Sequence, residues 1–247
     1  MKAMILAAGL GTRLRPLTDD RPKALVEVAG RTLLEITLSR LRAFGVREVI
    51  INVHHRAEMI VEYLKKNNNF GMGIEISREE ILLDTGGGLK KAAYFFLGDS
   101  SEKPFILHNV DVISTIDLGK MVQSHTESEA LATLAVQDRE ASRYLLFDQE
   151  FQLCGRRGAR DSKPELLGSP ETVQDLAFSG MHVISPRFLA MMIEEGVFSI
   201  ISSYLRLAGL GEKIFGFRAD EYYWRDLGKP ENVKQAARDL EHKVLLQ

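Results

Sequence analysis

LAAGLGTRLRPLTDDRPKAL, residues 6–25, overlaps the short apolar run KAMILAA (2–8) and carries two glycines, Gly9 and Gly11. A short apolar run that ends in glycine predicts a buried strand. A glycine-rich turn after such a strand is where α/β proteins hold phosphates, because backbone N–H groups can there approach anionic oxygens. Four cations in the stretch supply matching charge: Arg13, Arg15, Arg21 and Lys23. The stretch therefore predicts an α/β protein with an anion site after its first strand.

Two familiar kinds of phosphate loop are excluded by the spacing of these glycines. The P-loop needs Gly-x4-Gly-Lys-Ser/Thr, which the stretch lacks. A dinucleotide-binding turn needs a third glycine at the position of Leu14 and an acidic residue near the end of the second strand, where INVHH (51–55) has none. We therefore expect side chains to hold the phosphate, namely Arg13 with its planar guanidinium and Lys23 as a compact charge. A solvated patch of cations is the alternative, and the place of the cluster directly after a strand argues against it.

Strand-like and helix-like segments alternate along the first 137 residues. Leu34, Leu38 and Leu41 recur at helical spacing, whereas REVIINV (47–53) is a short apolar run typical of a buried strand. Such alternation predicts a parallel sheet with helices on both faces. The further strands predicted are 74–77, 104–112 and 131–137, and the further helices are 57–66, 89–97 and 117–125.

The alternation loosens after about residue 140. Residues 143–148 and 151–155 are typical of a hairpin, and 156–172 form a polar loop. The later segments predict strands at 176–185, 212–219 and 222–227, a helix at 186–196 and a final helix with Val233, Ala237, Leu240 and Val244 on one face. We expect one α/β domain spanning 1–247, with a doubly wound, mostly parallel sheet and a small β elaboration in its C-terminal half.

The composition excludes several classes of protein. The net charge of −2 over 247 residues provides no global field for binding nucleic acid or a membrane surface. Cys154 is the single cysteine, so no internal disulfide can form, and no apolar run has the length of a membrane span. We expect a cytoplasmic protein, monomeric or a small homo-oligomer, with neither nucleic acid nor a membrane as partner.

The stretch 6–25 resembles, nearly residue for residue, the signature of sugar-1-phosphate nucleotidylyltransferases. Further elements follow in the order of that family, and the resemblance is weakest across 138–175. It implies a Rossmann-like nucleotidyltransferase fold, with residues 1–137 binding a nucleoside triphosphate and 138–247 binding a sugar 1-phosphate. In this family a phosphate oxygen of the sugar 1-phosphate attacks the α-phosphorus of the triphosphate and pyrophosphate leaves.

The resemblance also implies which residues act on the phosphates. Arg13 would hold the departing β- and γ-phosphates, and Lys23 would stabilise charge near the α-phosphate. Asp111 and Asp226 would bind a Mg²⁺ ion, and Asp111 is counted with Arg13 and Lys23 as a catalytic residue. The alternative for Asp111 is a structural role as a turn or N-cap aspartate. The triphosphate would be wrapped by the backbone of Ala7, Ala8, Gly9, Gly11 and Thr12.

The segment LLDTGGGLKKA (82–92) is expected to bind the base. It is most similar to the glycine loop of N-acetylmuramate-1-phosphate uridylyltransferases, which implies UTP and cell-wall precursor salvage. Three glycines before a helix would admit a flat base, and a plain helix-start loop is the alternative. The base-binding residues implied are Thr85, Gly86, Gly87 and Asn109.

Sugar contacts are expected from Ser179 and Gly180, and from Lys163, for which a solvated loop lysine is the alternative. One departure from the family is Val110, which stands where a glycine usually precedes the first metal aspartate. A β-branched residue there restricts the backbone and could crowd a ligand. Two other functions stay open: the same reaction with GTP and mannose or heptose phosphate, and, because of Val110, a regulatory protein that binds nucleotide-sugars without turnover.

Overall fold

The computed structural model describes residues 1–97 and 103–241. Eight helices lie in these residues: α1 (Leu33–Ala43), α2 (Ala57–Lys66), α3 (Asp84–Lys91), α4 (Tyr94–Leu97), α5 (Leu118–Glu127), α6 (Arg187–Ala190), α7 (Ile200–Gly209) and α8 (Pro230–Glu241). The first seven strands are β1 (Lys2–Leu6), β2 (Glu27–Val28), β3 (Arg31–Thr32), β4 (Glu48–Val53), β5 (Gly73–Arg78), β6 (Phe105–Asn109) and β7 (Val112–Ser114). The later strands are β8 (Ala132–Gln137), β9 (Tyr144–Phe147), β10 (Leu153–Arg157), β11 (Glu165–Leu166), β12 (Gln174–Ile184), β13 (Ile214–Arg218) and β14 (Trp224–Asp226).

The central sheet is mixed but mostly parallel. Strands β5, β4, β1 and β6 pair in parallel, and β12 follows β6 antiparallel. On the far side of β12 lies β8, antiparallel to it, and then β13, parallel to β8. Strands β1 and β4 are almost continuously apolar because a parallel sheet covered on both faces buries both sets of side chains.

Helices cover both faces of the sheet, as predicted. Along β1 the side chains alternate: Ala3 and Ile5 face a core built with Leu34 and Leu38 of α1, whereas Met4 faces a second core with Tyr204 of α7. The doubly wound α/β fold is thus confirmed. No helix among residues 1–97 and 103–241 is long and apolar enough to cross a membrane.

The predicted β elaboration extends the sheet from one end of β12. Residues Gln174, Asp175 and Leu176 pair with β9, which continues antiparallel to β10 and then β11. The hairpin expected over 143–155 is therefore present, and it is attached to the same long strand that crosses the centre of the sheet.

Three predicted elements differ from the structure. The strand expected over 104–112 ends at Asn109, and a turn separates it from β7, which pairs instead with β14. The helix expected over 186–196 is the single turn α6, and the glycines expected in a loop lie inside α3. Val244, predicted on the last helix, lies outside the described residues.

Candidate functional site

The turn that follows β1 folds back on itself through Gly11. This residue has φ +66° at the start of a short 3₁₀ helix, and its carbonyl accepts hydrogen bonds from Leu14 N (2.9 Å) and Thr18 Oγ1 (2.8 Å). A Cβ here would lie 2.9 Å from Thr18 Cγ2 and 3.2 Å from Lys23 Cβ. Glycine at this position therefore allows the two ends of the stretch 6–25 to pack against each other.

Lys23 and Asp111, 88 positions apart, form an ion pair beside this turn. Lys23 opens a second short 3₁₀ helix, and Asp111 lies in the turn between β6 and β7. Their side chains are only 13% and 16% exposed, so the pair is poorly screened by solvent. The two residues that the resemblance assigns to the α-phosphate and its metal thus lie together at the carboxyl ends of β1 and β6.

A buried polar network beneath the turn was not predicted. Asn52 of β4 accepts a hydrogen bond from Ala7 N (2.7 Å) and donates one to Glu79 Oε1 (2.7 Å). The other Glu79 oxygen accepts from Leu83 N at 2.9 Å, ahead of α3. This network links β1 and β4 to α3 and fixes the turn's first residues. The signals in the sequence were an asparagine inside the apolar strand REVIINV and a glutamate just past the next strand.

A cavity of about 360 Å³ opens above this network. Its floor includes Ala8, Gly9, Asn52 and Glu79, and one wall is the ion pair of Lys23 and Asp111. The rim is partly apolar, from Leu82 and Val197. We call it the first cavity; its remaining lining residues are Leu6, Asp84, Thr85, Asn109 and Val110.

A second cavity, of about 630 Å³, lies on the other side of Asn109. It contains Arg13, Asp226 and Gly180 from the predicted site. Its other lining residues come from the β8–β9 loop, β7, β12, β14, the turn before α8 and α8 itself: Val112, Arg139, Glu140, Ala141, Ser142, Arg143, Phe178, Trp224, Arg225, Lys229 and Asn232.

Asn109 is the wall that the two cavities share, and Gly180 makes room for it. Gly180 has φ +76°, and a Cβ there would lie 3.0 Å from Asn109 Nδ2 and 2.8 Å from Val112 Cγ2. Only glycine therefore lets β12 pass so close to the end of β6. Ligands in the two cavities would meet at Asn109.

Asp111 and Asp226 lie on adjoining segments. Asp226 pairs with Val112 across β14 and β7, and Leu227 N donates to Asp111 O at 2.8 Å. Asp226 faces the second cavity beside Arg13: a Cβ on Gly228 would lie 2.7 Å from Asp226 Oδ1 and 2.9 Å from Arg13 Nη2. Of the predicted cations and aspartates, Lys23 and Asp111 thus line the first cavity, and Arg13 and Asp226 line the second.

The donor set of Asp111 and Asp226 fits Mg²⁺ when a phosphate is also present. Within the part of the chain that the structure describes, no three Asp, Glu, His or Cys side chains could hold a metal by themselves. Mg²⁺ commonly takes one or two carboxylates and fills its remaining positions with phosphate oxygens and water. Binding of the ion at these two carboxylates stays a prediction.

The predicted base-binding segment has a different structure from the one expected. Gly86 and Gly87 are buried in α3, do not line the first cavity, and both donate their N–H groups to Phe198 O. A Cβ on Gly86 would overlap the ring of Phe198, and one on Gly87 would overlap Gly196 O. Close helix packing, rather than access for a base, requires these glycines. Thr85 does line the cavity, and its hydroxyl accepts from Ile200 N at 3.0 Å.

Two of the predicted sugar contacts are not in the second cavity. Ser179 is fully buried, with its hydroxyl 3.4 Å from Gln137 Oε1, and its carbonyl accepts from Trp224 Nε1 at 2.7 Å. Ser179 therefore positions Trp224 instead of facing the cavity. Lys163 is exposed in the β10–β11 loop and lines neither cavity, as in the alternative of a solvated loop lysine.

Val110 is accommodated without strain. Its side chain is 3% exposed and packs in the core on the α1 face, and it is not among the residues with positive φ. Its N–H donates to Leu6 O at 3.1 Å, which holds the turn before Asp111 against β1. The backbone at this position therefore does not need the glycine that is usual in the family.

The positive charge of the site comes from arginine and lysine, because the neighbouring histidine is neutral. His108 precedes Asn109, and complete burial lowers its pKa to about 3. In the second cavity, partial burial lowers the pKa of Arg139, and the nearby carboxylate of Asp226 opposes that shift. Arg139 stacks on Trp224, with its guanidinium carbon 3.6 Å from the ring centroid.

Comparisons with known proteins identify the family. The family profile described as nucleotidyl transferase matches residues 2–243. An N-acetylmuramate alpha-1-phosphate uridylyltransferase of Caulobacter vibrioides is 35% identical over 93% of this chain and 92% of its own length. A D-glycero-alpha-D-manno-heptose 1-phosphate guanylyltransferase of Aneurinibacillus thermoaerophilus is 27% identical over 99% of this chain and 100% of its own.

Among solved structures, HddC of Yersinia pseudotuberculosis superposes with a TM-score of 0.76. It covers 97% of this chain and 99% of its own, at 23% identity, so this likeness concerns the fold. The resemblance to sugar-1-phosphate nucleotidylyltransferases drawn from residues 6–25 is confirmed, and the chain belongs to the nucleotidyl transferase family.

Proposed function

We propose that this enzyme transfers a uridylyl group from UTP to a sugar 1-phosphate, with N-acetylmuramate 1-phosphate as the leading candidate, to give a UDP-sugar and pyrophosphate. The observation that carries the proposal is the partly buried ion pair of Lys23 and Asp111 in the first cavity, close to Asn109, where the two cavities meet and which we call the junction. One cavity suits a nucleotide, the other a sugar phosphate, and the phosphates of both would meet at this pair.

The chain's own residues would act by positioning and by neutralising charge. Lys23 and Arg13 approach the junction from its two sides, where negative charge builds up as the phosphate oxygen of the sugar attacks the α-phosphorus. The turn at Gly9 and Gly11 would hold the triphosphate through its backbone. A Mg²⁺ ion on Asp111 and Asp226 would supply shielding between the attacking anion and the α-phosphate.

The first cavity is proposed to hold the nucleotide. It adjoins the glycine turn, and it offers the hydroxyl of Thr85 and the amide of Asn109 as partners for base or ribose. The preference for UTP rests on the similarity of the 82–92 segment to uridylyltransferases and on the 35% identity to the Caulobacter enzyme.

Guanylyl transfer to a heptose or mannose phosphate is the second candidate. It is supported by the Aneurinibacillus relative, which matches over the full length of both chains. The regulatory alternative loses its backbone argument, because Val110 packs in the core without a strained backbone, although Val110 also lines the first cavity.

Pyrophosphate release decides among these functions. The protein is incubated with each of the four nucleoside triphosphates, Mg²⁺ and a panel of sugar 1-phosphates that includes N-acetylmuramate, N-acetylglucosamine, mannose and heptose. Release with UTP alone supports the proposal, and release with GTP and a heptose or mannose phosphate supports the second candidate. Binding without release in every combination would leave the regulatory protein.

A further inference from the structure

The second cavity has more positive charge than a single sugar phosphate needs. Five cationic side chains line it, against the carboxylates of Glu140 and Asp226. Arg225 is already paired with Asp239 at 3.0 Å. The other four cationic residues are Arg13, Arg139, Arg143 and Lys229.

Arg143 is a cationic residue of this cavity that has no role in the proposed reaction. Among the residues that the structure describes, it has neither a hydrogen bond nor an ion pair, and its side chain is exposed at the cavity wall. The acidic residues of its own loop are engaged elsewhere. Asp138 Oδ1 accepts from Arg160 Nη2 at 2.5 Å, and Glu140 Oε1 lies 3.7 Å from Arg160 Nε.

The loop that carries Arg143 is held in place at both ends. Asp138 N donates to Asp220 Oδ1 (2.6 Å), and Ala141 N donates to the hydroxyl of the buried Tyr144 (2.8 Å). A charged group on a backbone fixed in this way loses less freedom when it binds a ligand than one on a loose loop. The backbone that carries Arg143 is thus fixed beside the cavity.

The position of Arg143 separates it from the reacting phosphates. A third cavity, of about 310 Å³, adjoins the second one, and the two share Arg139, Ala141, Arg143 and Phe178. The third cavity contains none of Arg13, Asn109 or Asp226. Arg143 therefore stands on the wall away from the junction, whereas the phosphate of the sugar must lie at the junction.

Between these two ends lies a flat platform. The guanidinium of Arg139 stacks on Trp224 and donates to Phe178 O at 2.8 Å. Arg139 Nε is buried without a partner among the described residues, so this charge is retained in the wall despite the cost of its desolvation. A sugar ring seated here would have its phosphate at one end and its substituents directed to the other.

We infer that Arg143 binds a carboxylate carried by the sugar, so that the substrates are acidic sugar 1-phosphates; this rests on the proposed function. Two separate sites of positive charge in one cavity match a substrate with two separate anionic groups. The planar guanidinium suits a carboxylate bidentately. N-acetylmuramate 1-phosphate has this chemistry, since it carries a carboxylate that N-acetylglucosamine 1-phosphate lacks.

The test compares these two sugars, which differ only in the lactyl ether that carries the carboxylate. Pyrophosphate release with UTP gives kcat/KM for each, and calorimetry gives the Kd of each, for the wild type, Arg143→Gln and Arg143→Lys. We expect the preference for the acidic sugar to fall about 10- to 100-fold in Arg143→Gln, the range for loss of one charged hydrogen-bonding partner, and to be partly kept in Arg143→Lys. Arg187→Gln, an exposed arginine in neither cavity, is the matched control and should keep the preference.

An unchanged preference in Arg143→Gln overturns the inference, whether both sugars lose equally, as for a phosphate contact, or neither loses. Failure of the proposed function has a different signature: no pyrophosphate is released from UTP with either sugar. The ratio of the two Kd values then still decides whether Arg143 reads the carboxylate, because it does not depend on turnover.

Discussion

The two cavities that meet at Asn109 are lined by residues from different parts of the fold. The first is lined mostly by residues at or just after the carboxyl ends of parallel strands, above the buried network of Asn52 and Glu79. The second is formed by arginines and a tryptophan from the β8–β9 loop and the late strands. Most of the charge in its walls therefore comes from long side chains outside the parallel strands, whereas most of the first cavity is positioned by the sheet.

This difference predicts how well each cavity tolerates substitutions. A pocket whose shape comes from strand ends and glycine packing tolerates few changes, because each replacement moves backbone. A pocket lined by loop side chains can change its ligand by single substitutions while the sheet stays the same. We therefore expect substitutions at the junction and in the first cavity to damage the reaction or the fold, and substitutions around the second to alter the choice of sugar.

The largest effect is expected at the junction, from Asp111→Asn. The change removes a charge from the ion pair with Lys23 and a carboxylate from the predicted metal site, while the shape of the side chain is kept. We expect turnover to fall by about 10²- to 10³-fold, the size seen when one preorganised electrostatic contact to a transition state is removed from an enzyme. Steady-state pyrophosphate release measures it.

The matched control is Asp20→Asn. Asp20 is an exposed partner of Arg21 that lines neither the first nor the second cavity, so the same chemical change there should leave turnover within about twofold. Circular dichroism of both variants would show whether they are folded. Unchanged turnover in a folded Asp111→Asn protein would remove this carboxylate from the mechanism and with it the importance of the junction.

The sequence predicts the first half of the molecule well for a physical reason. Strands such as β1 and β4 are decided by local apolar runs, and the stretch 6–25 is one continuous segment whose glycines and cations can be read together. Asp111 follows β6, which lies next to β1, so its place near the glycine turn was predictable, whereas its ion pair with Lys23 was not predicted.

The features that could not be predicted from the sequence depend on contacts between distant segments. The break after Asn109 cannot be seen in FILHNVDV, because it arises when β7 leaves the sheet to pair with β14, more than a hundred positions later. The sugar-side arginines and Trp224 likewise come together only through tertiary packing. Gly86 and Gly87 suggested a loop by their low helix propensity, and packing against Phe198 and Gly196 overrides that preference.

A smaller effect, on stability, is expected from Gly87→Ala. Alanine improves helix propensity by about 1 kcal/mol, but its Cβ would overlap the backbone oxygen of Gly196, and such overpacking costs about 1–3 kcal/mol. The free energy of unfolding, measured in urea, should therefore fall by up to about 2 kcal/mol. If Gly87 instead contacts the base, the KM for the nucleotide rises while the unfolding free energy does not fall.

Gly209→Ala is the matched control for this prediction. Gly209 also lies in a helix, the last turn of α7, but a Cβ there would meet Leu167 Cδ2 at an ordinary 3.7 Å. The gain in propensity is then unopposed, and we expect the unfolding free energy to rise by up to about 1 kcal/mol. Changes of opposite sign in the unfolding free energy would show that close packing requires glycine at position 87 and not at position 209.

The smallest effect is expected from Lys163→Ala. Lys163 is exposed in the β10–β11 loop and lines neither the first nor the second cavity, so the KM for the sugar phosphate should stay within about twofold of the wild type. Lys229→Ala is its counterpart inside the second cavity, where loss of a charged partner should raise that KM about tenfold. The reverse result would mean that the β10–β11 loop closes over the bound sugar and that the second cavity, as described, is only part of the sugar site.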